Sequence, residues 1–468
     1  MRLQKDNWCA KEFDSLNLGD KRLNRRLMDV AADLLKRPSQ PIHSACIGWA
    51  SAKAAYRLFD NPKLQETKLL QTHQAETIKR LQQSNESIVF AIQDTTILNY
   101  THHPKKKGLN KINQNPGYDK PTKGIFIHNT LLVTEQGCPL GLIDQKIFQR
   151  DNKKQKDNKQ RPIAEKQSYR WIEALRTTKL LSGDQMVVTL ADRESDIFEF
   201  LSEAHETEAK VLIRATKDRI LVNEGKEHQT LWKHMKGSLL QGNHSLHLPK
   251  RHNQPERKVN LEIRYSHVTL KPPQRYPGAQ AEKLNPVPIA AVWVCERTPA
   301  ADTSCIEWML LTNMPVESKE DAVKISEWYG LRWQVECFHR ILKSGCKIED
   351  CRLETYERLK KYVRLKSVVA FRLFWLTWIN RVMPEASSKM MLKQNEWRAL
   401  HCYINKTRSL PNRAPSVREA VRMIAQLGGF LGRRHDKEPG MTYIWRGWEK
   451  LMFIAEFCES INEKATCG

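Results

Sequence analysis

Long apolar runs are missing from this chain of 468 residues. No stretch reaches the roughly 18 uninterrupted apolar residues that a membrane-crossing helix needs. The first thirty residues mix polar and charged side chains and contain no secretory core. The expectation is a cytoplasmic protein with no membrane partner. Paired cysteines are missing too: eleven Cys are scattered without a CxxC, and the number is odd. A disulfide framework or a structural zinc site would show closer pairing, so free thiols in a reducing compartment are expected. Internal repeats and low-complexity tracts are absent. Acids are scarce, with 53 Asp plus Glu against 77 Lys plus Arg and a formal net charge of +24. Such an excess gains affinity for a polyanion by displacing counterions from phosphates, which makes nucleic acid the expected partner. A chain of this length is expected to hold about three domains.

The most informative stretch runs from Ile325 to Lys343. Wound as one helix, it places Tyr329, Arg332, Glu336 and Lys343 in a stripe about 60° wide and puts Leu331, Val335, Phe338 and Leu342 on another face. A carboxylate among cations on a helix can be no more than an ion-pair ladder. From Tyr329 to Lys343, however, a single helix would rise about 21 Å, enough to follow a nucleic-acid backbone with Glu336 near its middle.

Upstream, the run from Gly19 to Lys36 carries Leu23, Leu27, Val30, Ala31 and Leu34 at helical spacing, with Lys21, Arg22, Arg25 and Arg26 on other faces. A polar helix over about 65–83 follows. Ile88 to Ile92 then reads as a buried strand running into Gln93-Asp94-Thr95-Thr96. Asp94 taken alone is equally a turn former or a cap. Strands are predicted over Ile125–Thr134 and Leu140–Phe148, a helix from near Ile163, and a strand over Met186–Leu190 that ends in Asp192-Arg193-Glu194-Ser195-Asp196. Two strands thus each bring an Asp to a sheet's carboxyl edge, where open α/β sheets bind ligands. Glu194 and Asp196 are expected to cap the next helix. From about 219 to 285, short strand-like runs such as Asn260–Tyr265 and His267–Leu270 alternate with polar turns. Further strands are predicted over Ile289–Cys295 and Ile306–Thr312. Between Thr101 and Arg170 there are 15 Lys plus Arg against six acids, and the run 151–161 is polar enough to order only on DNA. Val363 to Trp378 reads as a buried helix or an oligomer contact.

The tetrad Tyr329-x2-Arg332-x3-Glu336-x6-Lys343 resembles the signature of the IS4-type DDE transposases, in particular the Tn5-like ones. Gly19–Leu27, Ala54–Phe59 and Asn61-Pro62 are similar to that family's end-binding domain; Arg22 and Arg26 match basic positions there, whereas Lys21 and Leu23 do not. Gln93-Asp94-Thr95-Thr96 and Asp192–Asp196 are similar to the motifs around the family's two catalytic Asp residues. Ala425–Phe430 and Trp445–Leu451 resemble its subunit-pairing region. The resemblance implies a ribonuclease-H-like α/β core over 71–370 with a β-rich insertion at about 215–315. A helical transposon-end DNA-binding domain (1–70) and a helical dimerisation domain (371–468) would flank it. It also implies contacts to DNA from Trp308, which without it reads as a core residue, and from Arg214.

The chemistry expected of such a site is in-line attack of an oxygen on phosphorus. Three carboxylates suffice as protein ligands for two hard divalent ions, so Asp94, Asp192 and Glu336 are the expected ligands, Mg²⁺ the expected metal, and Mn²⁺ a substitute. Arg332 and Lys343 are expected to anchor phosphates, with Tyr329 binding a phosphate or a displaced nucleotide and His339 on the same surface. The family implies a homodimer on double-stranded DNA, a bacterial host, and hairpin-mediated excision followed by joining to target DNA. A catalytically inactive DNA-binding relative and a structure-selective nuclease on the same fold remain open at this point.

Overall fold

The computed structural model describes residues 8–112, 122–150, 161–222, 229–248, 257–273, 284–297 and 305–465. Most of the polar run 151–161 lies outside them. The chain begins with four helices, α1 (Trp8–Glu12), α2 (Lys21–Lys36), α3 (Ile42–Ala45) and α4 (Trp49–Asp60). Asp20 caps α2 by accepting the Arg22 N–H at 2.9 Å, and the helix buries Leu27, Val30, Ala31, Leu34 and Leu35. Helix α5 (Glu66–Gln83) then leads into the sheet.

Strands β1 (Val89–Asn99), β2 (Gly124–Thr134) and β3 (Pro139–Phe148) form an antiparallel meander. Helix α6 (Tyr169–Ser182) follows a short 3-10 turn at Ile163–Glu165, so the helix starts later than its sequence suggests. Strand β4 (Val187–Ala191), helix α7 (Phe198–Glu206) and strand β5 (Lys210–Arg214) complete a unit in which β1, β4 and β5 are parallel neighbours. Beyond helix α8 (Leu231–Gly237) come β6 (Gly242–Leu248), β7 (Arg257–Leu270), β8 (Val287–Glu296) and β9 (Glu307–Thr312). These do not form a sheet of their own. Strand β9 pairs antiparallel with β5, so one nine-stranded sheet runs β3-β2-β1-β4-β5-β9-β8-β7-β6. The two short runs predicted at 260–265 and 267–270 are one continuous strand, β7, held straight through Ser266 by pairing with β8.

Alternation along the strands sorts the core into two layers. Phe90, Ile92, Val188, Leu190 and Leu212 face one helical layer, and Ala191, Val211 and Ile213 face α6 and α7. The first layer contains α9 (Lys319–Gly330), α10 (Trp333–Arg340) and α11 (Tyr356–Val382). Helix α11 runs buried for most of its length, as its apolar composition predicts, with Arg364, Lys366 and Arg372 also inside. The chain closes with α12 (Gln394–Asn405), α13 (Val417–Leu427) and α14 (Met441–Ala465). Helix α14 docks on the end of α2: Trp448 Nε1 donates to the Leu35 carbonyl at 2.9 Å, and Ser39 donates from N and Oγ to Glu449 at 2.7 and 2.8 Å.

Candidate active site and nucleic-acid interface

The sheet register builds the centre of the site. Strand β1 pairs in parallel with β4 from Val89 opposite Val187 to Ile92 opposite Leu190. Two residues further on, the same register sets Asp94 beside Asp192, and the period of two turns both side chains to the face covered by α10 and α11. The parallel pairing stops at Ile92 and Leu190, two residues short of the acids. Strand β1 itself does not: it continues to Asn99 against β2, so Asp94 sits within a strand and not at its end, and β4 alone delivers its Asp at a strand terminus. Asp192 also caps a short 3-10 turn, accepting the Glu194 N–H at 2.9 Å.

Burial, together with the negative charge of Asp94, pushes the Asp192 carboxyl up to about 6. Because the folded value lies above the unfolded one, near 4, the folded metal-free protein holds this proton more tightly than the unfolded chain does. Its stability is therefore expected to fall as pH rises from about 4 to about 6. Asp192→Asn should remove that slope and stabilise the metal-free protein at pH 7 by on the order of 1–2 kcal/mol. Denaturant titrations at several pH values check this; an unchanged slope in the variant contradicts it.

The helical stretch is not the single rod its periodicity suggests. Helix α9 ends at Gly330, Leu331 and Arg332 form a tight turn with i→i−3 bonds, α10 covers Trp333–Arg340, and Ile341–Gly345 is a π-helical turn closed by Cys346 N–H to the Ile341 carbonyl at 2.7 Å. Its members consequently take different stations. Tyr329 is buried, edge-on to the half-buried Trp308 with ring centroids 5.4 Å apart, and burial raises its hydroxyl to about 12. The Arg332 guanidinium lies 6.0 Å from the Tyr329 ring and forms an ion pair with Glu336. Glu336 is the exposed member of the pair. Lys343, on the π turn, is half-buried and has no ion-pair partner among the described residues. Arg214, at the end of β5, donates to the Glu307 carbonyl at 2.6 Å, and its charge is felt by Tyr329. His339 is a correction: it does not lie on the outer surface but is buried, with Nδ1 3.4 Å from Asp94 Oδ2 and Nε2 2.8 Å from Asn129 Nδ2.

Asp196 is a second correction. It does not cap α7, whose N-cap is Ile197. Its carboxylate is buried, accepts the N–H groups of Thr216 and Lys217 at 2.7 and 2.8 Å, and pairs with Arg219. Glu194 pairs with Arg170 at 2.7 Å.

Three models of known families match consecutive stretches of the chain: transposase DNA-binding over residues 5–64, transposase DDE domain over 73–371, and transposase Tn5 dimerisation domain over 368–465. The DDE match alone spans more than half of the sequence. The chain belongs to the DDE transposases. The order of its three parts is that of a Tn5-like, IS4-family transposase, a nuclease and strand transferase of a family that generally uses divalent metal ions. The ribonuclease-H-like α/β core, helical on both flanks, is what the sheet and the three matches display together. No described helix is long and apolar enough to cross a membrane.

The donor set of the transposase suits a hard divalent ion: two carboxylates crowd each other at one level of the sheet, which an intervening cation would relieve, and the helix carrying a third lies above them. As the side chains stand, no three His, Cys, Asp or Glu among the described residues converge on one point. Glu336 is instead engaged in the ion pair with Arg332.

Sequence reasoning missed several neighbours of the site. Arg170 reaches in from the first turn of α6, donates to Thr95 Oγ1 at 3.1 Å, and bears on the charges of both Asp94 and Asp192. In the chain it looked like one more loop cation. On the DNA-binding domain, Arg22 is exposed and Arg26 half-buried on α2, but α4 presents the more distinctive face. Trp49 is 80% exposed at its first position, Lys53 lies 5.7 Å from the indole, and exposed Arg57 continues the same i, i+4, i+8 stripe. The spacing was legible; that no other described element covers the tryptophan was not.

Proposed function

We propose that this transposase moves its element by cut and paste. It binds terminal repeats in double-stranded DNA, excises the element by phosphodiester hydrolysis and hairpin formation, and joins the freed 3′-hydroxyl ends to target DNA. What supports this reading is the closeness of Asp94 and Asp192, which follow the last paired residues of adjacent parallel strands, the charge of the first raising the cost of ionising the second, beneath the helix of Glu336. Asp94, Asp192 and Glu336 would hold the divalent ions, Asp94 as the shared ligand in this reading, with Mg²⁺ as the metal and Mn²⁺ able to replace it. Two such ions, when bound, activate the attacking oxygen and stabilise the leaving one.

The protein's own side chains position the DNA. Lys343, which has no ion-pair partner among the described residues, anchors a phosphate near the scissile bond. Arg332 exchanges Glu336 for a phosphate when an end docks, which releases the carboxylate to the metal site as the substrate arrives. Tyr329, Trp308 and Arg214 line one edge, where the half-buried Trp308, braced edge-on by the buried Tyr329, is placed to stack on an extruded base. Extrusion costs a few kcal/mol, which stacking offsets. Functional units are proposed at 1–70, 71–370 with the insertion at about 215–315, and 371–468, in a cytoplasmic bacterial protein. A labelled duplex ending in the element's own repeat tests the reading. With Mg²⁺ the wild type should nick it and then form a hairpin; a duplex that is bound and left intact would refute the proposal.

A synaptic homodimer is part of the same proposal, each subunit holding one end and cutting the other. Helix α14 carries Phe453, Phe457 and Ile461 exposed at i, i+4 and i+8, an apolar stripe that solvent alone does not favour. Each buried Phe contributes about 1.5–3 kcal/mol to an interface. Phe453→Ser with Phe457→Ser is therefore expected to weaken self-association on DNA by at least about 100-fold while leaving the fold intact. Sedimentation of the end complex decides it, an unchanged dimer placing the interface elsewhere.

A further inference from the structure

Behind Asp94 a row of polar side chains crosses the buried face of the sheet. Asp94 on β1 stands opposite Asn129 on β2, which stands opposite Gln145 on β3, and α10 and α11 cover all three. Polar residues in fully buried strands are costly unless every group is partnered. These are partnered in a single direction. Arg364 of α11, held by Glu66 at 3.0 Å, donates through Nη1 to Gln145 Oε1 at 3.1 Å. A guanidinium cannot accept, so Gln145 must turn its oxygen to the arginine and its amide nitrogen away. Gln145 Nε2 then donates to Asn129 Oδ1 at 2.7 Å and to Ser367 Oγ at 2.9 Å. With its oxygen occupied, Asn129 donates through Nδ2 to His339 Nε2 at 2.8 Å. A ring nitrogen that accepts carries no hydrogen, so the hydrogen of the imidazole resides on Nδ1, which faces Asp94 Oδ2 at 3.4 Å.

We propose that Arg364, Gln145, Asn129 and His339 form a relay of hydrogen-bond polarity that presents an N–H to Asp94, and that His339 is thereby a positioning residue for this carboxylate. Outer partners of this kind orient a ligand and tune its affinity for metal. At 3.4 Å the Nδ1 hydrogen bears on Oδ2 at ion-pair distance, from the side of the sheet away from Asp192, and so favours one setting of the carboxylate. The inference rests on the reading of Asp94 as a metal ligand. It extends that reading to residues reaching as far as α5, and it assigns a reason for an asparagine and a glutamine in the middle of buried strands.

Gln145→Glu is the sharpest probe, because it preserves shape and adds a charge partner for Arg364 while removing the donor to Asn129. The amide of Asn129 must then turn its nitrogen to the new carboxylate and its oxygen to His339 Nε2. The ring hydrogen follows to Nε2 and a bare Nδ1 confronts Asp94. Two measurements on the full-length protein read this out. In ¹⁵N-histidine spectra, the resonance lost in His339→Ala should report a hydrogen on Nδ1 in the wild type and on Nε2 in Gln145→Glu. By electron paramagnetic resonance, Mn²⁺ affinity should fall about 10-fold or more in Gln145→Glu and His339→Ala, with end binding and thermal stability of Gln145→Glu unchanged. If Asp94→Ala loses Mn²⁺ while Gln145→Glu keeps wild-type affinity and tautomer, the relay is overturned and the metal-ligand reading survives. If Asp94→Ala binds Mn²⁺ like the wild type, both are overturned.

Discussion

Glu336→Ala is expected to reduce strand cleavage by on the order of 10³-fold, since the loss of a metal ligand forfeits several kcal/mol of transition-state stabilisation. End binding should not fall with it. Glu336 contributes no positive charge, and in the free protein its carboxylate ties up Arg332. Removing it frees a guanidinium for phosphate, so affinity for a terminal-repeat duplex should hold or rise, with a steeper dependence on salt. Gel-shift titrations at two salt concentrations, run beside a cleavage assay with Mg²⁺, separate the two effects. A variant that binds and cuts like the wild type would remove Glu336 from the chemistry; one that fails to bind would mean that the Arg332 pair supports the fold and not the site.

Asp196→Ala should cost about 3–5 kcal/mol of folding stability, the penalty of leaving a buried cation without its anion. The carboxylate is 1% exposed as a residue and is surrounded by donors: the Thr216 and Lys217 N–H groups and two nitrogens of Arg219, with Nε at 2.9 Å. Arg219 also donates to the Asp196 carbonyl at 2.9 Å and lies 5.8 Å from the Phe198 ring, so it cannot swing out to water without abandoning both. Asp196→Asn should cost less, because one oxygen still accepts from the backbone, but its amide nitrogen then opposes a donor. Equilibrium denaturation of both variants checks the order. Equal midpoints for wild type and Asp196→Ala would show that solvent replaces the lost acceptor. Asp196 closes the connection between β5 and α8 just behind the turn that Asp192 caps, so an acid that reads as a neighbouring ligand is instead an anchor of the scaffold.

Much of the scaffold follows from local pattern. The strands around Ile92, Leu131, Ile143 and Leu190, the capped helix α2 and the buried α11 are all visible as periodicity, because burial on one face or two leaves its period in the chain. The break at Leu331–Arg332 is not visible: both residues keep right-handed helical backbone angles, and only a shift to i→i−3 bonds separates α9 from α10. A tetrad spaced for one helix therefore reads as one exposed stripe, whereas packing against Trp308 draws Tyr329 inward. The same limit applied to His339, whose neighbours in sequence are a phenylalanine and an arginine and whose neighbours in space are Asp94 and Asn129.

What the sequence determined by itself was the inventory: which segments bury, where cations accumulate, and that three acids of the right kind accompany a tyrosine, an arginine and a lysine at a recognisable spacing. Only the tertiary structure decided which of these meet. The parallel register of β1 and β4 sets Asp94 beside Asp192, the pairing of β9 with β5 turns an apparent insertion into an extension of the same sheet, and Arg364 orients a line of amides that ends at Asp94. Periodicity is a property of neighbours along the chain, while register, desolvation and hydrogen-bond direction are set by neighbours across it, brought together only when the sheet closes over its helices.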